Sequence, residues 1–391
     1  MVKTERISIM IQFSCQINRT LVQTVETVSR KFKFESPYSG NSEVYLNPNG
    51  ESYIRITTGG VSEHSIKRMY TYKLALEKLN EDMENAYKKQ TESFTMIYKN
   101  MVKPHKTEYY VNNKTAPVLQ RYKRNTFTIK QPASSDVAEA LKNEALHIFY
   151  GKAANSDEVR GFVSSNLQQM TADRVEKWNE AQQLFNQIED EREKKANSKY
   201  QSSYETEIKR HKDFIDGADD VVQERLERVI PELNMPYNIN VNFRYLKEKA
   251  LLKVELICQQ DIAVPLLKAN VLANGKLSVK EKSLKDSEQE KADTMAGILY
   301  YISSVIFDNV PSLQIIRTSL LNNKREGYIW VQFNRRDIMG VVKSSLVPSS
   351  DIFNYPNVIK VKHNRGSIGF EPIDSGDFKA QIEEVLSEIE P

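Results

Sequence analysis

The chain predicts an α+β fold, and three observations carry that expectation. Ile7, Ile9, Ile11, Phe13, Cys15 and Ile17 alternate with polar residues, the two-residue period of a half-buried strand. Residues 136–230 change to apolar positions three and four apart, the period of helices. Residues 231–391 return to alternation, in strand pairs around one strongly apolar helix. Three consecutive units are therefore expected: a small basic α+β unit at 1–131, a helical hairpin at 136–230, and an antiparallel sheet packed on a helix at 231–391. A chain of 391 residues is long enough for two or three such units, each with its own core.

After the first strand, Glu43–Leu46 and Tyr53–Thr57 flank Asn47-Pro48-Asn49-Gly50, and the Asn-Gly step supplies the positive φ that a tight hairpin needs. One helix of about ten turns is expected over 63–101, from the apolar spacing of Leu76, Leu79, Met83, Phe94, Ile97 and Met101. Past Pro104, Glu108–Val111 and Thr126–Lys130 read as short strands, and residues 131–135 read as a linker.

The helical segment carries two stripes. One runs from Val159 through Leu167 and Trp178 to Ile188, and the other from Tyr200 through Ile208 and Val222 to Val229. The charged run 190–195 lies between them, and Asp216-Gly217 interrupts the second. An antiparallel, coiled-coil-like hairpin fits this pattern. An unbroken rod is the alternative, because neither Gly nor Pro marks a tip near Ala196-Asn197-Ser198. Strand pairs are then expected at Ile239–Tyr245 with Leu251–Cys258, and at Leu313–Leu321 with Tyr328–Asn334. Between the pairs runs a helix, Asp286–Asp308, which Ser287 and Glu290 would open as a capping box. Phe378, Ile382, Val385, Leu386 and Ile389 mark a closing helix.

The net charge of +3 conceals an asymmetry. Residues 1–135 hold 21 Lys+Arg against 12 Asp+Glu, a balance of +9, and the remainder is −6. No stretch approaches a membrane span, and Ile7–Ile17 is too polar for a signal peptide, so a cytoplasmic protein without membrane contact is expected. Two distant cysteines, Cys15 and Cys258, cannot build a disulfide framework or a four-ligand zinc site.

The stretch 98–131 is the candidate binding surface. Its cations are Lys99, Lys103, Lys106, Lys114, Arg121, Lys123, Arg124 and Lys130, against one acid, Glu108; among them stand Tyr109, Tyr110 and Tyr122, with Tyr98 and Phe127 beside. Clustered cations hold phosphates and aromatic faces stack on bases, so this is the composition of a nucleic-acid surface. The competing reading is that the aromatics fill a core while the cations face solvent or the chain's own acidic helices.

Catalytic patterns are sparse. Gly59-Gly60 fits neither a Walker loop nor a dinucleotide fingerprint, and no Gly-x-Ser-x-Gly elbow occurs. The five histidines do not pair at metal-ligand spacing. Asp261 with Lys280-Glu281-Lys282 approaches a nuclease pattern but has Ser283 where a lysine is required. Arg335-Arg336-Asp337 suggests an anion site or a strand-end salt bridge. No catalytic residue, metal or cofactor is named by these patterns.

Residues from about 219 to 373 resemble a bacterial family of domains of unknown function. The landmarks are Ile230-Pro231-Glu232-Leu233, Pro236-Tyr237-Asn238-Ile239, Ala273-Asn274-Gly275-Lys276-Leu277, Ile302–Pro311, Tyr328–Asn334 and Phe370-Glu371-Pro372-Ile373. The same region is similar to the non-catalytic part that precedes the nuclease domain of Mrr-type restriction proteins. Only eighteen residues follow Ile373, so the resemblance implies the accessory module without the nuclease. The family brings no catalytic residues. The first reading of the chain is a non-enzymatic interaction or scaffold protein, and the resemblance alone implies a bacterial mobile-element or anti-phage setting for it. Its partner would be a nucleic acid or an acidic protein at the basic N-terminal surface, and the helical hairpin could join copies of the chain. The other readings are a DNA- or RNA-binding protein outright, or a nuclease or other hydrolase with an unrecognised site.

Overall fold

The computed structural model describes residues 10–34, 40–56, 61–111 and 117–390. The alternating residues Ile7 and Ile9, the Gly59-Gly60 pair, and Lys114 lie outside these. In chain order the elements are β1 Met10–Ile17, β2 Val28–Phe34, β3 Gly40–Leu46, β4 Ser52–Ile56, α1 Glu63–Arg68, α2 Tyr70–Thr95, α3 Thr107–Val111, α4 Ser134–Ile148, α5 Asp157–Ile215 and α6 Asp219–Val229. There follow β5 Ile239–Leu246, β6 Leu251–Cys258, β7 Leu267–Val271, β8 Leu277–Glu281, α7 Leu284–Asn309, β9 Ile315–Leu321, β10 Gly327–Asn334, α8 Arg335–Gly340, α9 Pro348–Asp351, β11 Asn357–Asn364, β12 Ser367–Glu371 and α10 Ser375–Ile389. The α+β expectation holds.

The elements group as a sheet unit, Met1–Thr115 with Lys212–Pro391, and a helical unit, Ala116–His211. This differs from three consecutive units divided at 131 and 230. The reason is β1, which pairs antiparallel with β5 over its whole length and so joins the chain's start to the C-terminal sheet.

That sheet has seven strands in the order β1-β5-β6-β9-β10-β11-β12. It is mixed and not purely antiparallel as expected, because β6 and β9 run parallel. The helix α7 between them returns the chain to the edge where β6 began, and such a crossover makes the next strand parallel. One face of the sheet, including Val241, Phe243, Val254, Leu256, Ile316 and Val331, packs on α7, which is buried almost throughout its C-terminal two-thirds. The α7 cap is Ser283, whose side chain accepts the Asp286 amide, one turn before the expected Ser287–Glu290 box. On the other face α10 covers Ile257, Leu321, Trp330 and Val358 through Phe378, Ile382 and Leu386.

A second core lies between α2 and the three-stranded antiparallel sheet β2-β3-β4, with Phe34, Val44, Leu46, Leu79 and Met83 at its centre. Gly50 takes φ +85° in the β3–β4 turn, the conformation for which the Asn-Gly step was read. The single helix expected over 63–101 is divided. Met69 is extended between α1 and α2, and α2 ends in a 3₁₀ turn at Ile97–Asn100. Glu108–Val111 is helical where a strand was expected; Tyr110 is buried there, and among the described residues no strand pairs with this segment.

In the helical unit, α5 continues without a break through residues 196–198, so the hairpin expectation fails; the unbroken rod holds only as far as Ile215, where the Asp216-Gly217 break separates α5 from α6. Asn197, at the supposed tip, stays helical, and its side-chain oxygen accepts the Tyr122 amide at 2.9 Å. An extended strap takes the place of a second helical arm. Tyr122, Asn125 and Ile129 meet Asn197, Glu189 and Trp178 in turn, so the strap runs antiparallel to α5. Thr126–Lys130 is therefore no strand; its polar bonds go to side chains of α5. Near the start of α5, α4 buries Val137, Leu141 and Ala145. Gly217 ends α5 at φ +64° in the sheet unit, where an added Cβ would collide with the hydroxyls of Ser312 and Tyr245.

Candidate polyanion-binding surfaces

The basic stretch 98–131 is divided between the two units. In the sheet unit Lys99, Lys103 and Lys106 are exposed. The aromatics beside them are committed. Tyr109 stacks on His105 at 4.1 Å, and buried Tyr110 donates to the Asp308 carbonyl at 2.7 Å. Burial, and then the Asp308 charge, push the Tyr110 hydroxyl up to about 12.

Below them lies Arg335, one of the two arginines read as an anion site or salt bridge. It is neither. Its guanidinium is buried and donates to the carbonyls of Phe307 and Val310 at 2.6 Å, Leu313 at 2.8 Å and His105 at 3.0 Å. It thereby satisfies carbonyls that the end of α7 leaves without intrahelical partners.

In the helical unit Arg121, Lys123 and Lys130 are exposed along the strap. Arg124 instead pairs with Asp190 at 2.5 Å and Glu193 at 3.4 Å, so for this residue the reading of cations meeting an acidic helix is correct. Tyr122 donates to buried Glu189 at 3.1 Å, and Phe127 packs on Trp178 and Phe185. Glu189 also accepts the Asn125 amide at 2.9 Å. That bond, with those from the Asn125, Arg192 and Tyr122 side chains, outweighs burial and holds its carboxyl down at about 2. The interleaved aromatics of the stretch thus serve packing.

The sequence reading missed a different aromatic surface in the same N-terminal portion. The strands β2, β3 and β4 turn one face to α2 and the other to solvent. Register aligns Ser29, Tyr45 and Tyr53 in one row of the outer face and Lys31, Glu43 and Arg55 in the next, followed by Lys33 opposite Asn41. Tyr45 and Tyr53 stack at 4.9 Å with their planes 2° apart, and Tyr53 is about half exposed. Glu43 accepts the Tyr45 hydroxyl at 2.6 Å and Ser29 at 2.9 Å; these bonds pull its carboxyl below the ordinary range. Glu43 therefore stays ionised and orients one ring, while Lys31, Lys33 and Arg55 outnumber it. The signal was present as period-2 alternation, but without strand pairing it did not say which rings and cations share a face.

The other chemistries are not assembled. Lys282 turns to Glu290 at 2.6 Å and Thr91 at 2.9 Å inside the sheet unit, while Asp261 is exposed. Burial raises the Glu290 carboxyl despite Lys282. Both thiols are pushed up to about 12, mainly by burial, which disfavours the thiolate. Among the described residues no group of three or more His, Cys, Asp or Glu is placed to hold a metal ion, and no helix is long and apolar enough to cross a membrane. No known protein family, curated protein or solved structure matches the chain.

Proposed function

We propose that this protein is a non-enzymatic interaction protein that holds a polyanion, single-stranded nucleic acid, on its basic N-terminal portion. The observation that carries the reading is the outer face of β2-β3-β4, where the Tyr45–Tyr53 stack is rimmed by Lys31, Lys33 and Arg55. An exposed ring offers a base a π-face, and flanking cations neutralise the phosphates on either side. Lys99, Lys103 and Lys106 are further exposed cations of the same unit. A bacterial mobile-element or anti-phage setting is part of the proposal and rests on the resemblance of residues 219–373 alone.

The test is fluorescence anisotropy of a labelled single-stranded oligonucleotide against salt. Tyr53→Ala is expected to weaken binding by about 1–3 kcal/mol, the worth of one stacked base. A Lys31→Glu, Lys33→Glu, Arg55→Glu variant is expected to flatten the salt dependence. Wild-type protein that leaves the oligonucleotide free at low salt sinks the reading. Binding that ignores both variants moves it away from this face.

A further inference from the structure

The seven-stranded sheet carries, on its face away from α7, an arrangement that folding alone does not call for. Register aligns Gln12, Arg244, Lys253, Arg317 and Gln332 in one row across β1, β5, β6, β9 and β10. Three adjacent rungs of that row are cations, and neighbouring strands lie roughly 4.8 Å apart. Like charges directly opposite one another destabilise a sheet. Among the described residues, one carboxylate is paired with the row: Glu390, after the end of α10, on Arg317.

Arg317 is buried and also donates to Gln332 at 2.8 Å, so it is spent within the fold. Arg244 and Lys253 face solvent instead. Burial and the neighbouring Arg317 and Arg244 charges push the Lys253 ammonium below the usual lysine range. The next row holds Ser14, Asn242, Glu255 and Ser319, and the one beyond begins with Gln16 and Asn240. Apolar residues bound this face on both sides, with Ile257 under α10 at one end and the row Met10, Leu246, Leu251 and Ile315 beyond the cations at the other. Between them β1, β5 and β6 carry a polar lane of four amides, the Ser14 hydroxyl and the Glu255 carboxylate, with Arg244 and Lys253 side by side.

We propose that this lane, centred on Arg244 and Lys253, binds the phosphate backbone of single-stranded nucleic acid as a second contact surface of the sheet unit. The proposal rests on the function proposed above. Charge complementarity selects a polyanion, since the row carries repulsion that a bound phosphate chain would relieve. The amides of Gln12, Gln16, Asn240 and Asn242 favour nucleic acid over an acidic peptide, because they can both donate to phosphate oxygens and meet base edges.

The experiment compares wild type, Arg244→Ala/Lys253→Ala and the Lys31→Glu/Lys33→Glu/Arg55→Glu variant by anisotropy with one single-stranded oligonucleotide, over roughly 50 to 200 mM salt. The alanine pair is expected to reduce affinity about tenfold or more at low salt. It should also make the slope of log K against log salt shallower by about 1.4, the loss of two single-strand phosphate contacts. Its melting temperature should be unchanged or higher, since repulsion is removed; a fall would mean the row is structural and would overturn the proposal. Unchanged affinity in the alanine pair, with the N-terminal variant weakened, overturns this surface and leaves the proposed function standing. Failure of wild type to bind overturns both. Preferential binding of a polyglutamate chain, lost in the alanine pair, assigns the lane to an acidic protein and overturns the nucleic-acid proposal.

Discussion

Arg335 in the sheet unit and Glu189 in the helical unit are both buried charges, and they are held in opposite ways. Arg335 lies beside the main core and is ringed by four carbonyls, from Phe307 of α7 and from Val310, Leu313 and His105 in the connecting segments. Glu189 lies on a helix whose only other buried residue is Val159, and its partners Tyr122 and Asn125 belong to an extended strap. The first charge is supported by a core that would exist without it. The second is itself the fastening of a thin layer. Stability in the sheet unit therefore follows apolar burial, whereas in the helical unit it follows a few polar bonds and the pH that keeps Glu189 ionised.

Each unit carries one tryptophan, Trp330 and Trp178, so fluorescence can follow them separately in Trp178→Phe and Trp330→Phe backgrounds. The largest effect is expected from Arg335→Met. Stripping four buried carbonyls of their donor should cost the sheet unit about 4 kcal/mol in urea unfolding followed by Trp330. A loss below about 1 kcal/mol would mean water replaces the guanidinium and the contrast with Glu189 is overstated. Gly217→Ala should come next, at about 2 kcal/mol, since φ +64° and the hydroxyls of Ser312 and Tyr245 both oppose a Cβ. Finding it neutral would show that the α5 terminus shifts freely.

Glu189→Gln tests the other side. Amide exchange at Asn125 should speed up while exchange across α7 stays unchanged; equal protection at Asn125 would remove Glu189 as the fastening. The pH dependence has a definite sign. A carboxyl at about 2 when folded, against an ordinary 4.5, contributes stability that is complete above about 4.5 and lost as pH falls toward 2. The Trp178 signal should therefore weaken in acid across that window in the Trp330→Phe background, and the window should vanish when Glu189→Gln is added. The smallest effect is expected from Arg124→Ala. Its pairs with Asp190 and Glu193 are exposed, so the cost should stay below about 1 kcal/mol and shrink with salt. A larger, salt-insensitive loss would make the strap more than a polar fastening.

Much of the local structure was legible in the residues. Alternation marked β5, β6, β9 and β10, the Asn-Gly step marked the β3–β4 turn, and Asp216-Gly217 marked the end of α5, because each depends on periodicity or φ within a few residues. The charged run 190–195 resembles a solvated turn and so suggests a hairpin in α5; the strap, 64–75 residues upstream, is what uses Glu189 and Asn197 there. The candidate site was legible as composition and illegible as surface. Tyr110, Tyr122 and Phe127 have the residue types of a stacking platform but are committed to packing. Tyr45, Tyr53, Lys31 and Arg55 came together through strand register alone.

Composition and periodicity alone carry the α+β class, the basic N-terminal third, the apolar centre of α7 and the main strands that flank it. The tertiary structure decided that β1 belongs to the C-terminal sheet, that β6 and β9 run parallel, and that Gln12, Arg244, Lys253, Arg317 and Gln332 share one row. The reason is physical: a strand's period states which side chains share its own face, but which strand lies beside it is set by packing between residues hundreds of positions apart.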